Sequence, residues 1–270
     1  MKFQDIIKCF ITEILPESVQ FAITRRHYLR LVANVTEASE KYFSIISHLV
    51  TSGDRVMDIG GNIGEYAKFL SGLVGQTGFV VSVEPLPRNI VILNYVKQKL
   101  RLDNVSIIRC AVSECDGQAE LSIPRSESGV ENYYRPSIGG SEGRKVLVKT
   151  RSIDSLLIGN EQRVSFIKID VEGHELPCVR GAVSTLRNDR PALLVEVSGD
   201  PDDPVSSAAN LIRTLGDLGY APYAWDEHKV RLRIPNEHQG DYFFLTADHV
   251  SFLAARGLVL QSKTTVHQEQ

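Results

Sequence analysis

The sequence predicts an α/β protein, a parallel sheet with helices on both faces behind an N-terminal helical cap. Three observations carry this. From Arg55 onward, short runs rich in Val and Ile alternate with longer stretches of helical periodicity, the pattern of strand–helix–strand units. Those runs lack the apolar–polar alternation of a half-exposed strand, as expected when both faces are buried. The first run also passes straight into a glycine-rich turn ahead of a helix. In doubly wound sheets, ligands bind beyond the carboxyl ends of the strands at such turns.

The elements follow in order. Phe3, Ile6, Ile7, Phe10, Ile11, Ile14 and Leu15 recur at helical spacing and form one apolar stripe, which Pro16 ends. The stripe is expected to dock on the main core. A homodimer contact through the N-terminal helices is its second reading. Its polar face carries too few Lys and Arg for a membrane-surface helix. Asp5, Lys8 and Glu13 break any secretory core. Helical patterns over 21–32 and 37–50 complete a cap spanning 1–50. Arg25, Arg26 and His27 form a small basic cluster, read as a solvated face.

The main domain is expected over 51–260. Strands are predicted at 55–59, 79–84, 105–110, 166–170 and 192–197, and helices at 65–73, 88–102, 176–186 and 206–218. Two further strands, 222–225 and 242–246, have no full helix between them and suggest a closing antiparallel hairpin. Residues 124–143 contain two Pro, four Gly and four Ser, which marks an inserted loop and a candidate lid over the acceptor. The polar stretch 261–270 is expected to be a flexible tail.

Composition excludes several classes. The 270 residues are 43% hydrophobic and 23% charged, unlike fibrous or wholly disordered chains. A formal charge of −3 gives no basic face for nucleic acid. No apolar run approaches the roughly 18 residues of a membrane span. Cys9, Cys110, Cys115 and Cys178 form no paired framework and read as reduced thiols of a cytoplasmic protein.

The sharpest motif is Asp58-Ile59-Gly60-Gly61-Asn62-Ile63-Gly64. The glycines let the chain turn tightly and approach a ligand. The dinucleotide pattern G-x-G-x-x-G fails from both Gly60 and Gly61, because Asn62 and Ile63 stand where a glycine is needed. That disfavours a nicotinamide-dependent oxidoreductase. An acid at the strand end repels a pyrophosphate but suits a ligand with an ammonium group. S-adenosylmethionine carries an ammonium and a sulfonium, and no phosphate. Glu84 ends the second strand, where a carboxylate can accept from both ribose hydroxyls.

A second dense site is Lys168-Ile169-Asp170-Val171-Glu172-Gly173-His174-Glu175, a strand end with acids and a histidine ahead of a helix. His174 is the favoured general base, since a histidine titrates near working pH; Asp170 and Glu172 are the alternatives. Glu175 reads as a helix cap. Glu196 ends the next strand and either faces the same crevice or binds a neighbouring loop. No metal-specific spacing is present, and no metal is expected.

In order along residues 50–200, these segments resemble the FkbM family of S-adenosylmethionine-dependent methyltransferases. The resemblance rests on Asp58–Gly64, Glu84-Pro85-Leu86-Pro87-Arg88-Asn89 with Leu93 and Asn94, and 151–156. It continues through 167–175, Leu176, Gly181-Ala182, Leu186, Pro191 and Glu196. It implies a class I (Rossmann-like) methyltransferase fold, a mostly parallel seven-stranded sheet whose last strand is antiparallel. It implies methyl transfer from S-adenosyl-L-methionine, usually to a hydroxyl oxygen of a sugar or secondary metabolite. Under it, Asp58, Gly60, Asn62 and Gly64 would hold the methionine end, and Glu84 the ribose. Ala111 and Val112, at the third strand end, would lie along the adenine, with Asp170 near donor and acceptor. Tyr133, Tyr134 and Arg135 are the acceptor-recognition candidates, an aromatic pair for a sugar or flat ring and a cation for an acidic group. The alternative is a catalytically inactive module that binds the cofactor or a partner.

Overall fold

The structure is a computed structural model and describes residues 16–125, 131–159, 162–226 and 228–260. The apolar stripe of 3–15 and the tail 261–270 lie outside the described residues.

The strands, in chain order, are β1 (Arg55–Ile59), β2 (Phe79–Val83), β3 (Val105–Ile108), β4 (Ala111–Val112), β5 (Gly117–Ile123), β6 (Ser137–Ile138), β7 (Arg144–Arg151), β8 (Val164–Ile169), β9 (Ala192–Glu196), β10 (Ala221–Asp226), β11 (Lys229–Leu232) and β12 (Asp241–Leu245). Eight of them form the main sheet in the order β11-β10-β12-β9-β8-β1-β2-β3. β3, β2, β1, β8 and β9 are mutually parallel. β12 runs antiparallel between β9 and β10. The sheet thus has eight strands rather than seven. The extra one is β11, which pairs antiparallel with β10 and forms the edge. The expected hairpin of 222–225 with 242–246 is an adjacent antiparallel pair, but the chain first makes β11 before returning as β12.

Alternation within β1 explains why Val56, Met57 and Ile59 are all apolar. Met57 and Ile59 project into a core with Val81, Ile167 and Leu193. Val56 projects to the other face, among Val80, Phe166, Phe243 and Phe43. Both faces are covered, so apolar side chains fill both.

Several expected elements are divided. The stretch 37–50 is a single 3₁₀ turn (Glu37–Ser39) and a helix (Phe43–Leu49). The helix expected over 176–186 breaks into Glu175–Arg180 and Val183–Asn188. Gly181 marks the break, where an added Cβ would lie 2.2 Å from the Ser113 carbonyl oxygen. The third strand stops at Ile108, because Ala111-Val112 leave the main sheet to pair with β7.

The segment after β3 is not one long loop. β4, β7, β5 and β6 form a second sheet, in that order, with β7 and β5 antiparallel along their length. Ser137-Ile138, inside the expected insertion, pairs with β5. The small core of this sheet contains Leu86, Ala111, Leu121, Ile123 and Val148, with Tyr133 packed against it.

The described N-terminal helix (Glu17–Ala33) lays Phe21, Tyr28, Leu29 and Val32 against Ile63, Ile92 and Val96. Phe43 is buried in the main core, its ring stacked on Phe69 with centroids 3.8 Å apart and edge-on to Tyr66 at 4.9 Å. Phe43→Ala is therefore expected to lower the free energy of unfolding by about 3–5 kcal/mol, read by urea denaturation. A loss below about 1 kcal/mol would show that 43–49 does not share the core of the sheet.

Candidate active site

The carboxyl ends of β1, β2 and β8 open onto one cleft of about 270 Å³, near the lower end for small-molecule sites. Asp58, Gly60, Asn62, Glu84, Ala111, Val112, Asp170, Tyr133, Tyr134, Arg135, Glu172 and His174 all line it. Two anticipated residues do not. Gly64 sits at the start of the helix Glu65–Val74 with φ 99°, where a Cβ would lie 2.5 Å from Leu93 Cδ1. Its place is in packing. Glu196 lies beside Asp170 and Glu172 without lining the cleft itself.

The glycine turn is set by close approach. Gly60 has φ 84°, and a Cβ there would lie 1.9 Å from the Asp170 carbonyl oxygen. A Cβ on Gly61 would lie 2.1 Å from Ser82 Oγ. The Gly60 and Gly61 N–H groups both donate to the Val83 carbonyl, at 2.9 and 3.0 Å, which draws the turn over the end of β2. Asn62 follows in the left-handed region, φ 45°. Its N–H donates to Glu84 Oε2 at 3.0 Å.

Three polar side chains stand side by side on the sheet. The strand register places Asp58 beside Ser82 on one flank and beside Lys168 on the other. Asp58 is fully buried. Ser82 Oγ donates to its Oδ2 at 3.1 Å, while Oδ1 has no hydrogen-bond partner. Lys168 is 6% exposed, and its ammonium lies 3.1 Å from Asp170, 3.9 Å from Asp58 and 3.3 Å from the Gly60 carbonyl. It also sits over the Tyr66 ring, 4.9 Å from the centroid. Burial pushes the Asp58 carboxyl above its usual range, with Lys168 opposing. Burial would lower the Lys168 ammonium, but Asp170 and Asp58 more than offset it, and its pKa is raised. Sequence reading left Lys168 without a role. The signal was one charged residue inside the apolar run 164–169.

Glu84 is buried and its carboxylate is already engaged. Leu86 N–H donates to Oε1 at 2.9 Å and Asn62 N–H to Oε2. Desolvation pushes its pKa up to about 7, against these hydrogen bonds.

At the β8 end, Glu172 takes φ 54° and burial raises its pKa. Glu175 accepts from the N–H groups of Val171 and Gly173, so it closes the turn before its helix. His174 Nε2 lies 3.0 Å from Ser113 Oγ, a partner that sequence reading did not single out. Burial lowers the His174 pKa, which keeps the imidazole neutral at pH 7. Carboxylate oxygens of Asp170, Glu172 and Glu196 lie within 4.8 Å of one another. Burial, then Asp170 and Glu172, push Glu196 up to about 8, so a proton relieves the crowding at neutral pH.

The residues fit a ligand with an ammonium group and a ribose. Asp58 offers a buried oxygen that faces Lys168 but accepts no hydrogen bond, Glu84 a carboxylate at the second strand end, and Gly60–Gly61 a surface that no side chain could replace. The mostly parallel sheet with its reversed β12 and the glycine turn are those of the class I fold of S-adenosylmethionine-dependent methyltransferases. The profile of the Methyltransferase FkbM domain matches residues 58–222, more than half the chain, and the chain belongs to that family.

Similar solved structures include a methyltransferase FkbM from Methylobacillus flagellatus KT, 17% identical (TM-score 0.48). The match covers 79% of this chain and 52% of that one. This chain therefore spans about half the length of that protein. Fibrillarin from Aeropyrum pernix with bound S-adenosyl-L-methionine is 19% identical over 73% of this chain and 68% of its own (TM-score 0.44). A methyltransferase from Aquifex aeolicus is 16% identical over 76% and 88% (TM-score 0.40). No curated protein matches in sequence.

S-adenosylmethionine is the cofactor. Ionised Glu84 accepts on both oxygens and more strongly than the protonated acid, so its pKa of about 7 makes cofactor affinity pH-dependent. The Kd of S-adenosylhomocysteine, measured calorimetrically, should rise about tenfold from pH 8 to pH 6 as the carboxylate takes a proton. Asp58 acts with the same sign. Glu84→Gln should weaken binding at pH 8 and remove most of the slope. An unchanged Kd across this range in the wild type would remove Glu84 from the site.

Proposed function

We propose that this methyltransferase transfers the methyl group to a hydroxyl oxygen of a small molecule or sugar. The observation that carries this reading is a neutral, half-buried His174 held by Ser113 on the wall of the cofactor cleft. An alcohol is a weak nucleophile and gains from losing its proton as it attacks. A neutral imidazole can take that proton, whereas the nearby Asp170 carboxylate is already paired with Lys168.

Bound S-adenosylmethionine supplies an electrophilic methyl group on a sulfonium. The chain's own residues supply alignment and the base. Asp58 accepts from the cofactor's ammonium, Glu84 from its ribose, and Ala111 and Val112 form an apolar wall for the adenine. The hydroxyl is aligned by the loop that carries Tyr133, Tyr134 and Arg135. Tyr133 donates to Glu131, which Arg144 of β7 grips at 2.6 Å, so the loop is anchored to the second sheet. Arg135 lies near enough to Glu172 to counter the rise in its pKa, leaving a cation at the mouth for an acidic acceptor.

The test is methyl transfer from labelled S-adenosylmethionine to a panel of hydroxylated sugars and metabolites. With the best acceptor, His174→Ala should lower kcat about 10²–10⁴-fold and change S-adenosylhomocysteine affinity far less. Because burial lowers the His174 pKa, kcat at saturating cofactor should hold steady below pH 7. It should fall only as pH drops through that lowered value and the imidazole is protonated. Unchanged turnover in His174→Ala would remove the histidine as base, and labelling confined to nitrogen or carbon would overturn O-methylation.

A further inference from the structure

Asn89 is 3% exposed, and its amide nitrogen faces three acceptors at nearly equal distance. Asn62 Oδ1 lies at 3.3 Å, Glu84 Oε1 at 3.4 Å and the Tyr133 carbonyl at 3.3 Å. An amide nitrogen has two hydrogens, so one acceptor is always short. The three acceptors belong to three working parts: the glycine turn, the ribose carboxylate and the acceptor loop. Arg88, one residue earlier, strengthens the last of these links. Its guanidinium lies 4.5 Å from the Tyr133 ring centroid and 5.5 Å from that of Phe21. The start of the helix Pro87–Leu100 thus holds the loop by both its backbone and a ring.

We infer that Asn89 is a positioning residue that couples occupancy of the ribose site at Glu84 to the seating of residues 131–138, so that the acceptor site is completed only after the cofactor binds. A carboxylate oxygen accommodates about two donors, and Glu84 Oε1 already has Leu86 and Asn89. A ribose hydroxyl arriving there displaces the longer of these contacts, that of Asn89. Both Asn89 hydrogens then serve Asn62 and Tyr133, and the loop carbonyl gains a full partner. This inference rests on the reading of Glu84 as the ribose carboxylate and of 131–138 as part of the acceptor loop.

The test is hydrogen exchange over 131–138, with ligand occupancy set by calorimetry on the same samples. In the wild type, saturating S-adenosylhomocysteine should slow exchange there about tenfold. In Asn89→Ala at equal occupancy, the protection should fall below about twofold. Should that variant not fold, the wild type alone decides: adenosine should protect the loop, and 2′,3′-dideoxyadenosine at matched occupancy should not. Binding without protection in the wild type, equal protection in Asn89→Ala, or equal protection by the dideoxy compound would overturn the coupling while leaving the cofactor site intact. Absence of any heat with S-adenosylhomocysteine would overturn the cofactor site, and the coupling with it.

Discussion

The site depends on one buried polar row, Ser82–Asp58–Lys168, laid across three adjacent strands of a sheet whose two faces are otherwise packed with apolar side chains. A buried carboxylate is costly unless it is paired. Asp58 is held by a serine through Oδ2, and its Oδ1 faces an ammonium at 3.9 Å but accepts no hydrogen bond. That oxygen leaves the ends of these central strands with an acceptor short of a donor. A ligand bringing a cation there completes what the fold leaves short. Lys168 carries the same logic to Asp170 and to the Gly60 carbonyl, so the two central strands and the glycine turn are held as one unit.

Around this row, groups that differ chiefly in environment are given different work. Glu84, desolvated but hydrogen-bonded, titrates near neutrality and is ready to accept from hydroxyl groups. Glu196, desolvated and crowded by Asp170 and Glu172, keeps its proton. His174, desolvated with no opposing carboxylate, loses its proton readily. Burial acts in one direction on all three, toward the neutral form. The site therefore reaches neutral pH with a proton acceptor, a carboxylate on the edge of ionisation and a masked acid within one small region.

Much of this was legible in the sequence because the local physics was local in the chain. Gly60, Asn62, Glu84 and Asp170 stand at strand ends, and strand ends are marked by the change from Val and Ile to Gly and acids. The apolar strands were readable for the same reason. What was not legible came from distant pairing. Lys168 looked like an interruption of a strand until β1 was placed beside β8. Ser113 gained meaning only when Gly181 brought the following helices against it. Residues 124–143 looked like loop chemistry, and the sheet formed by β4 to β7 depends on pairing across the insertion that no window of sequence displays. Gly64, read with its neighbours as a ligand contact, does not line the cleft, and its φ of 99° beside Leu93 favours glycine there.

The proposed function rests on the ends of β1 and β2 holding the cofactor through Asp58 and Glu84. A crystal structure of the chain with S-adenosylhomocysteine tests it most directly. The amino group is expected on the Asp58 carboxylate and the ribose hydroxyls on Glu84, with the adenine against Ala111 and Val112. A ligand bound elsewhere, or bound in this cleft with Asp58 and Glu84 both untouched, would contradict it.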